Sequence, residues 1–451
     1  MLGAEFCLNE VQPQRHFFYK LCCTPPFFHK SRNRVPLKIN PRWIYQNLIP
    51  EASQISNQEC FDFDPASFVM EKVEAIRGAV GKSRAAIATS GGVDSTACAV
   101  LAHRALGKEL ICFFLDTGFM REGEVEEVRQ MLTSLDLPLK VLSVRDRFIA
   151  ALKGKTDAES KRLAFRQTFY TVLGEAVRSE GCEVLIQGTI APDWIETSGG
   201  IKTQHNVLEQ LGVNTMSSFG FRLLEPLLDL YKDQVRALAR YLGVKASERQ
   251  PFPGPGLMVR CIGEVTEEKL DVLRRATTIT EAGLSRMASP PKQYLAAVAE
   301  DERTPGDAVT AAADGAVSGA TVGYLSRLAT GVKGDDRAYG KMAVVSLPPG
   351  EAGEKEPREL FELPPAIIHA DRDVVRVLYA IAQARLGGIK RNVSYAILIR
   401  AVETRDFMTA KPSEVPLHLL KGMAKTITED DRVSLVAYDI TSKPPATVEF
   451  E

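Results

Sequence analysis

A segment rich in glycine and hydroxyl groups, SGGVDST at residues 90–96, lies between a short apolar run and a helical pattern. Two glycines permit positive φ angles and a close approach of the backbone to a ligand. The hydroxyls, with the unpaired N–H groups of the following helix start, are donors that suit a phosphate chain. A simple helix cap by Ser90 or Asp94 is the alternative, but a cap needs neither both glycines nor three hydroxyls. The residues predicted to form this phosphate loop are Ser90, Gly91, Gly92, Val93, Asp94, Ser95 and Thr96.

Asp94 is an unusual residue for an anion-binding loop, because its carboxylate repels phosphate. A divalent cation bound together with the phosphates would remove that repulsion, since hard cations prefer oxygen ligands. Asp94 is therefore predicted to be a metal ligand.

The elements around this loop alternate between short apolar runs and helical spacing. Strands are predicted at residues 85–89, 110–115, 140–144 and 184–187, and helices at 70–80, 93–106, 125–135 and 161–179. Apolar strands that do not alternate with polar residues indicate an α/β fold, a parallel sheet covered on both faces. Ligands bind such sheets beyond the carboxyl ends of the strands, where the phosphate loop, Asp116 and Gly188 fall.

Three regions are predicted along the chain. Residues 1–60 are basic, contain several prolines and show no period, which predicts a flexible arm, with an organelle transit segment as the alternative. Residues 61–249 carry the α/β pattern. A segment of prolines and glycines at 249–256 marks a boundary. Residues 250–451 are predicted to form a smaller α+β domain with an insertion around 348–392.

The composition excludes several classes of protein. The 451 residues are 45% hydrophobic and 25% charged, with a net charge of −1, which indicates a folded chain and not a disordered one. We expect no nucleic-acid or membrane partner, because the net charge is near zero and no stretch reaches the ~20 apolar residues of a spanning helix. Eight scattered cysteines predict reduced thiols and a cytoplasmic protein, or an organelle protein if the arm is a transit segment.

The residues of the phosphate loop resemble the pyrophosphate loop of the ATP pyrophosphatase superfamily. Further stretches are similar to GMP synthetases: QGTIAPDWIE at 187–196, IKTQHNV at 201–207, RQPFPGPGLMVR at 249–260, DDRAY at 335–339, RAVETRDFMTA at 400–410 and KPPATVEFE at 443–451. From about residue 62 to its end, the chain resembles the ATP pyrophosphatase and dimerisation portion of that family. The resemblance implies an adenine nucleotide alpha hydrolase-like parallel sheet, followed by a smaller α+β dimerisation domain.

The resemblance also implies a two-step reaction. ATP adenylates XMP with release of pyrophosphate, and ammonia then displaces AMP to give GMP. ATP would bind at the phosphate loop, at Asp116 and at Gly188, and Mg²⁺ would be held by Asp94 and the phosphates. The implied catalytic residues are Asp94, Lys202, His205, Asp193 and Glu196, with Lys202 and His205 on a lid. Asp193 or Glu196 would bind a second Mg²⁺ or accept a proton from ammonia, with a plain acidic helix start as the alternative.

The acceptor site is implied by motifs in the second region. Arg337 suits the phosphate of XMP as a bidentate donor. The other residues implied for XMP are Lys443, Thr447, Glu449, Pro253 and Gly254. The family resemblance further implies a homodimer built through this region.

Several positions depart from the family pattern. No part of the chain resembles the glutamine amidotransferase domain of the fused enzymes, so either ammonia is used directly or a separate glutaminase subunit supplies it. The lid carries Gln204 and Leu208 in place of the family's residues. Two alternatives therefore stay open: an ATP pyrophosphatase with another acceptor (NAD synthetase-like or tRNA thiolation), and a catalytically silent nucleotide-binding relative.

Overall fold

The structure is a computed structural model that describes residues 63–193, 215–244, 252–334, 336–348, 355–383, 394–404 and 409–451. These residues belong to one compact unit, Phe63–Glu451. The predicted arm at 1–60, parts of the insertion around 348–392, and Glu196, Lys202 and His205 lie outside the described residues. Within the described part, no helix is long and apolar enough to cross a membrane.

The first sheet is parallel and five-stranded, with the order β3-β2-β1-β4-β5. Its strands are β1 Arg84–Ala88, β2 Leu110–Asp116, β3 Leu139–Ser143, β4 Cys182–Ile186 and β5 Arg222–Leu224. Its helices are α1 Pro65–Val80, α2 Val93–Leu106, α3 Glu124–Ser134, α4 Arg145–Leu152, α5 Ala158–Ser179, α6 Thr215–Phe219 and α7 Lys232–Tyr241. Strands β1 and β2 are apolar over most of their length and buried, because helices cover both faces. The α/β prediction is confirmed, and each predicted strand overlaps an observed one.

The second sheet is mixed and nine-stranded, larger than the first. Its strands are β6 Gln293–Glu300, β7 Arg303–Pro305, β8 Thr321–Leu325, β9 Ala329–Lys333, β10 Asp336–Ser346, β11 Val374–Gln383, β12 Tyr395–Glu403, β13 Lys411–Pro412 and β14 Val433–Asp439. Its helices are α8 Glu267–Leu284, α9 Asp307–Ala316, α10 Leu363–Ala370 and α11 Leu417–Ile427. Strand β9 pairs with β10 beside the main path of the sheet. The predicted α+β character of this region is confirmed.

The segment between the two sheets is attached to the first of them. The N–H of Leu257 donates to the carbonyl oxygen of Phe119 at 2.8 Å. Buried Lys161 of α5 donates to the carbonyl oxygens of Cys261 and Gly263 at 2.7 and 2.8 Å, and also pairs with the Glu451 carboxylate. A fully buried ammonium needs such partners, because burying a charge without them is costly. The domain boundary between residues 249 and 250 stays a prediction.

Candidate active site

The phosphate loop connects the end of β1 to the start of α2. The Ser90 N–H donates to Ser95 Oγ at 3.1 Å, and the Gly92 N–H donates to Ser90 Oγ at 3.3 Å. Gly92 is the N-cap residue of α2, and none of the side chains that the structure describes caps the helix. The alternative of a simple cap by Ser90 or Asp94 is therefore wrong. The first turn of α2 keeps its N–H donors and its positive dipole end for an anion.

Two glycines allow close approaches that hold the loop in place. Gly91 has φ 76°, and a Cβ atom there would lie 2.5 Å from Val128 Cγ2. A Cβ atom on Gly188, which follows β4, would lie 3.1 Å from the Asp94 carbonyl oxygen and from Ser95 Cα. The predicted phosphate loop and Gly188 thus meet at the carboxyl edge of the sheet.

We predict that Gly91→Ala lowers the free energy of unfolding by about 3 kcal/mol, combining the cost of a positive φ with overpacking against Val128. Gly92→Ala is the matched control: Gly92 has φ −73°, and its nearest contact would be Ser90 Oγ at 3.3 Å. Denaturant unfolding of both variants measures the difference. Equal losses in the two variants would contradict this account of the loop.

Asp94 lies in the first turn of α2 and pairs with a lysine from another helix. Lys232 Nζ, at the start of α7, lies 2.6 Å from Asp94 Oδ2. The other oxygen, Asp94 Oδ1, is buried and has no hydrogen-bond partner among the described residues. A buried carboxylate oxygen without a donor is the kind of group a hard cation satisfies, so Asp94 fits the predicted Mg²⁺ ligand.

Sequence reasoning missed Lys232. It follows β5 as the phosphate loop follows β1, but the three-residue strand β5 gives too short an apolar run to be recognised. A recognised fifth strand would have placed Lys232 at the carboxyl edge of the sheet.

Asp116 and Asp193 both bond to their own turns. Asp116 Oδ1 accepts from the Gly118 N–H at 3.0 Å, at the end of β2. Asp193 Oδ2 accepts from the Ile190 N–H at 3.2 Å. Strand β2 neighbours β1, so Asp116 lies at the same edge of the sheet as the phosphate loop. The ATP and catalytic roles of these two carboxylates stay predictions.

A second cluster of charge joins α5 to β10. Arg337 Nη1 and Arg162 Nη1 each lie 3.8 Å from the same oxygen of Glu159. Arg162 is only 7% exposed, and its Nε and Nη1 atoms have no hydrogen-bond partner in the described structure. Burial lowers the pKa of Arg162, and the nearby Arg337 lowers it further. Two guanidinium groups facing one carboxylate leave positive charge and free donors for an anion with several oxygens.

Arg162 is a further residue that sequence reasoning missed. It lies within the helical pattern of α5, where an arginine is ordinarily a solvated residue. Only its burial beside Arg337 distinguishes Arg162 from an ordinary solvated arginine.

The segment at residues 443–451 runs along β9, the neighbour of the strand that carries Arg337. The Lys443 backbone pairs with Ala410. Thr447 Oγ1 donates to the Thr330 carbonyl oxygen at 3.0 Å, and Glu449 forms a bidentate pair with Arg260 at 3.0 and 2.9 Å. These contacts bind the Thr447 hydroxyl and the Glu449 carboxylate within the protein.

The remaining acceptor-site candidates lie in the segment between the two sheets. The Pro253 carbonyl oxygen accepts from the Gly256 N–H at 2.8 Å, and a Cβ atom on Gly254 would meet no atom of the described residues within 4 Å. The structure places these two residues in a turn. Their role with XMP stays a prediction.

Comparison with known proteins gives matches along most of the chain. A PP-loop domain model matches residues 65–248, and a GMP synthase C terminal domain model matches residues 368–450. The B subunit of a GMP synthase (glutamine-hydrolyzing) from Sulfurisphaera tokodaii is 45% identical over 395 residues, covering 86% of this chain and 100% of that protein. The protein of the same name from Methanopyrus kandleri is 38% identical over 401 residues, with the same coverage of both chains.

A solved structure of an NH3-dependent NAD synthetase from Campylobacter jejuni aligns with a TM-score of 0.33. It is 21% identical and covers 40% of this chain and 75% of that one. A similarity at this level carries no conclusion about function.

Proposed function

This chain belongs to the family of GMP synthase B subunits, and from that premise we propose how its residues carry the reaction. It is a ligase of the GMP synthase type that uses ATP. The proposed reaction is adenylation of XMP with release of pyrophosphate, followed by amination with ammonia to give GMP and AMP. Two features of the described residues support the ATP step most strongly: no side chain among them caps the helix that follows the phosphate loop, and none of them donates to the buried Oδ1 of Asp94.

The phosphate loop binds the β- and γ-phosphates of ATP through the N–H groups at the start of α2. Mg²⁺, held by Asp94 Oδ1 and by phosphate oxygens, would neutralise charge that develops on the leaving pyrophosphate. Lys232 adds a positive charge beside the loop, because its Nζ lies against Asp94. Gly188 allows the end of β4 to approach the loop closely.

The phosphate of XMP binds between Arg162 and Arg337. Guanidinium groups bind phosphate oxygens in pairs, and both side chains lie near one carboxylate that the phosphate would replace as their partner. The rest of the acceptor site is lined or supported by Lys443, Thr447, Glu449, Pro253 and Gly254. Lys202 and His205 act on the α-phosphate of ATP. Asp193 or Glu196 would bind a second Mg²⁺ or accept a proton from ammonia.

The nitrogen donor is ammonia from a separate glutaminase subunit. The relatives' name, a glutamine-hydrolyzing synthase with a B subunit, supports this division of labour. We further propose a homodimer formed through the C-terminal sheet.

The dependence of pyrophosphate release on XMP tests whether XMP is the acceptor of the adenylyl group. We expect release from ATP and Mg²⁺ only when XMP is present, because XMP supplies the attacking oxygen. Release that does not depend on XMP would favour another acceptor, as in NAD synthetase-like amidation or tRNA thiolation. No release under any condition would favour the catalytically silent relative.

A further inference from the structure

Arg376 is a buried arginine of β11 that the reaction described above does not use. Its side chain is fully buried, and its Nη1 lies 2.7 Å from Asp439 Oδ2. Its Nη2 donates to the Thr447 hydroxyl at 2.8 Å and to the carbonyl oxygens of Thr447 and Thr330 at 3.1 and 3.3 Å. The same nitrogen donates to the Glu449 carbonyl oxygen. One guanidinium group thus binds the Thr447–Glu449 segment and β9 together.

The segment after Pro445 lies on β9 through further contacts. The Val332 N–H donates to the Pro445 carbonyl oxygen at 2.7 Å, and the Thr330 N–H donates to the Phe450 carbonyl oxygen at 2.8 Å. The Phe450 ring is buried, and its centroid lies 4.0 Å from Arg376 Cζ, a cation–π contact. Arg376 therefore lies at the centre of the contacts that fix this segment.

Asp439 has a second arginine partner that does not share these contacts. Arg400 Nη1 lies 2.7 Å from the same Asp439 Oδ2 and donates to the Thr441 carbonyl oxygen at 3.0 Å. Both arginines are buried, and burial lowers the pKa of Arg376 to about 10, partly offset by Asp439. Of these two arginines, only Arg376 contacts Thr447 and Glu449 in the described structure. Both arginines balance the buried charge of Asp439, whereas only Arg376 of the two binds the 447–449 segment.

We propose that Arg376 is a positioning residue for the acceptor: it sets the place of the 447–449 segment and so the affinity for XMP, without touching XMP itself. The inference rests on the proposed function, in which this segment supports the acceptor site. It assigns Arg376 a part in XMP binding that is separable from ATP binding, since the phosphate loop lies on the other sheet. Asp439 orients Arg376 by accepting a hydrogen bond from Nη1, so that Nη2 can bind the 447–449 segment.

The test compares Arg376→Lys with Arg400→Lys in the full chain. Each substitution keeps a positive charge opposite Asp439, but the donors of a lysine all lie on one nitrogen and cannot replace the contacts that Nη1 and Nη2 of Arg376 make with Asp439, Thr447 and Glu449 together. We expect Arg376→Lys to raise the KM for XMP about tenfold, the size of effect that loss of charged hydrogen bonds produces, and to leave the KM for ATP unchanged. We expect Arg400→Lys to lower the melting temperature about as much as Arg376→Lys does, and to leave the KM for XMP unchanged.

Amide hydrogen exchange reports the position of the segment without reference to XMP. In Arg376→Lys we expect faster exchange at Thr330 and Val332, whose N–H groups bond to Phe450 and Pro445 on either side of the 447–449 segment, and no change there in Arg400→Lys. If Arg376→Lys does not fold, Thr447→Val removes one contact to Arg376 and leaves the buried charges in place. Thr447→Ser, which keeps the hydroxyl, is then the conservative rescue.

Unchanged exchange in the Arg376 variant, or an equal rise in KM for XMP in both lysine variants, overturns the inference. Faster exchange with an unchanged KM for XMP overturns it too, because the segment would then not set acceptor affinity. A wild-type chain whose pyrophosphate release does not depend on XMP is a separate failure, that of the proposed function. The wild-type arm of the experiment therefore distinguishes the two.

Discussion

Replacing Asp94 with asparagine is expected to lower the rate of pyrophosphate release by about a thousandfold, because the variant loses the charge that would bind Mg²⁺ at the leaving group. Asparagine has nearly the same shape, so the packing of α2 is kept. Lys232 loses its partner, but its side chain is 51% exposed, and an exposed ion pair contributes little to stability. The variant should therefore fold normally. Steady-state release from ATP, Mg²⁺ and XMP measures the rate, and circular dichroism measures the fold.

Asp233→Asn is the matched control for this variant. It removes one negative charge from α7, next to Lys232. The Asp233 side chain is 94% exposed, and its Oδ1 lies 3.4 Å from Arg236 Nη1. We expect its rate of pyrophosphate release to equal that of the wild type. An Asp94→Asn variant that keeps wild-type turnover would refute the assignment of Asp94 as the metal ligand.

Replacing Arg337 with alanine is expected to raise the KM for XMP by about fiftyfold, because a bidentate charged contact to phosphate is lost. The KM for ATP should not change, since the phosphate loop lies on the other sheet. Arg337→Lys should recover only part of the affinity, because an ammonium cannot bind two phosphate oxygens in the same fork. Initial rates with XMP and ATP varied separately measure both constants.

Arg372→Ala serves as the control for Arg337→Ala. Arg372 is exposed and lies in the turn before β11, so its replacement removes the same charge beside the same sheet. An equal rise in the KM for XMP in both variants would show that the general field of the protein, and not the Arg162–Arg337 pair, sets the affinity for XMP.

The parts of the site that sequence could predict are those whose chemistry is local. The phosphate loop combines a strand, two glycines and a helix within about a dozen residues, and the predicted helix at 93–106 coincides with α2 Val93–Leu106. Asp94 was predicted to be a metal ligand because a carboxylate in a phosphate loop needs a cation. The partner of Asp94 was missed, since Lys232 lies 138 residues further along the chain.

The acceptor side of the site was predicted less well because several residues there are buried charges. Arg162 of α5 and the Arg376–Asp439–Arg400 group of the second sheet would ordinarily be assigned to the surface, and only the folded chain shows that they are buried. The family resemblance pointed to Thr447 and Glu449 as residues of the acceptor site. The structure adds that the hydroxyl of one and the carboxylate of the other are bound within the protein. Their direct contact with XMP stays a prediction.

The measurement that tests the central claim most directly is GMP formation by the purified chain with ATP, Mg²⁺ and XMP. Ammonium and glutamine are compared as nitrogen sources. We predict GMP with ammonium and none with glutamine, because amination needs free ammonia and a separate glutaminase would release it from glutamine. ATP binding without GMP formation under either condition would contradict the account and indicate another acceptor or a silent site.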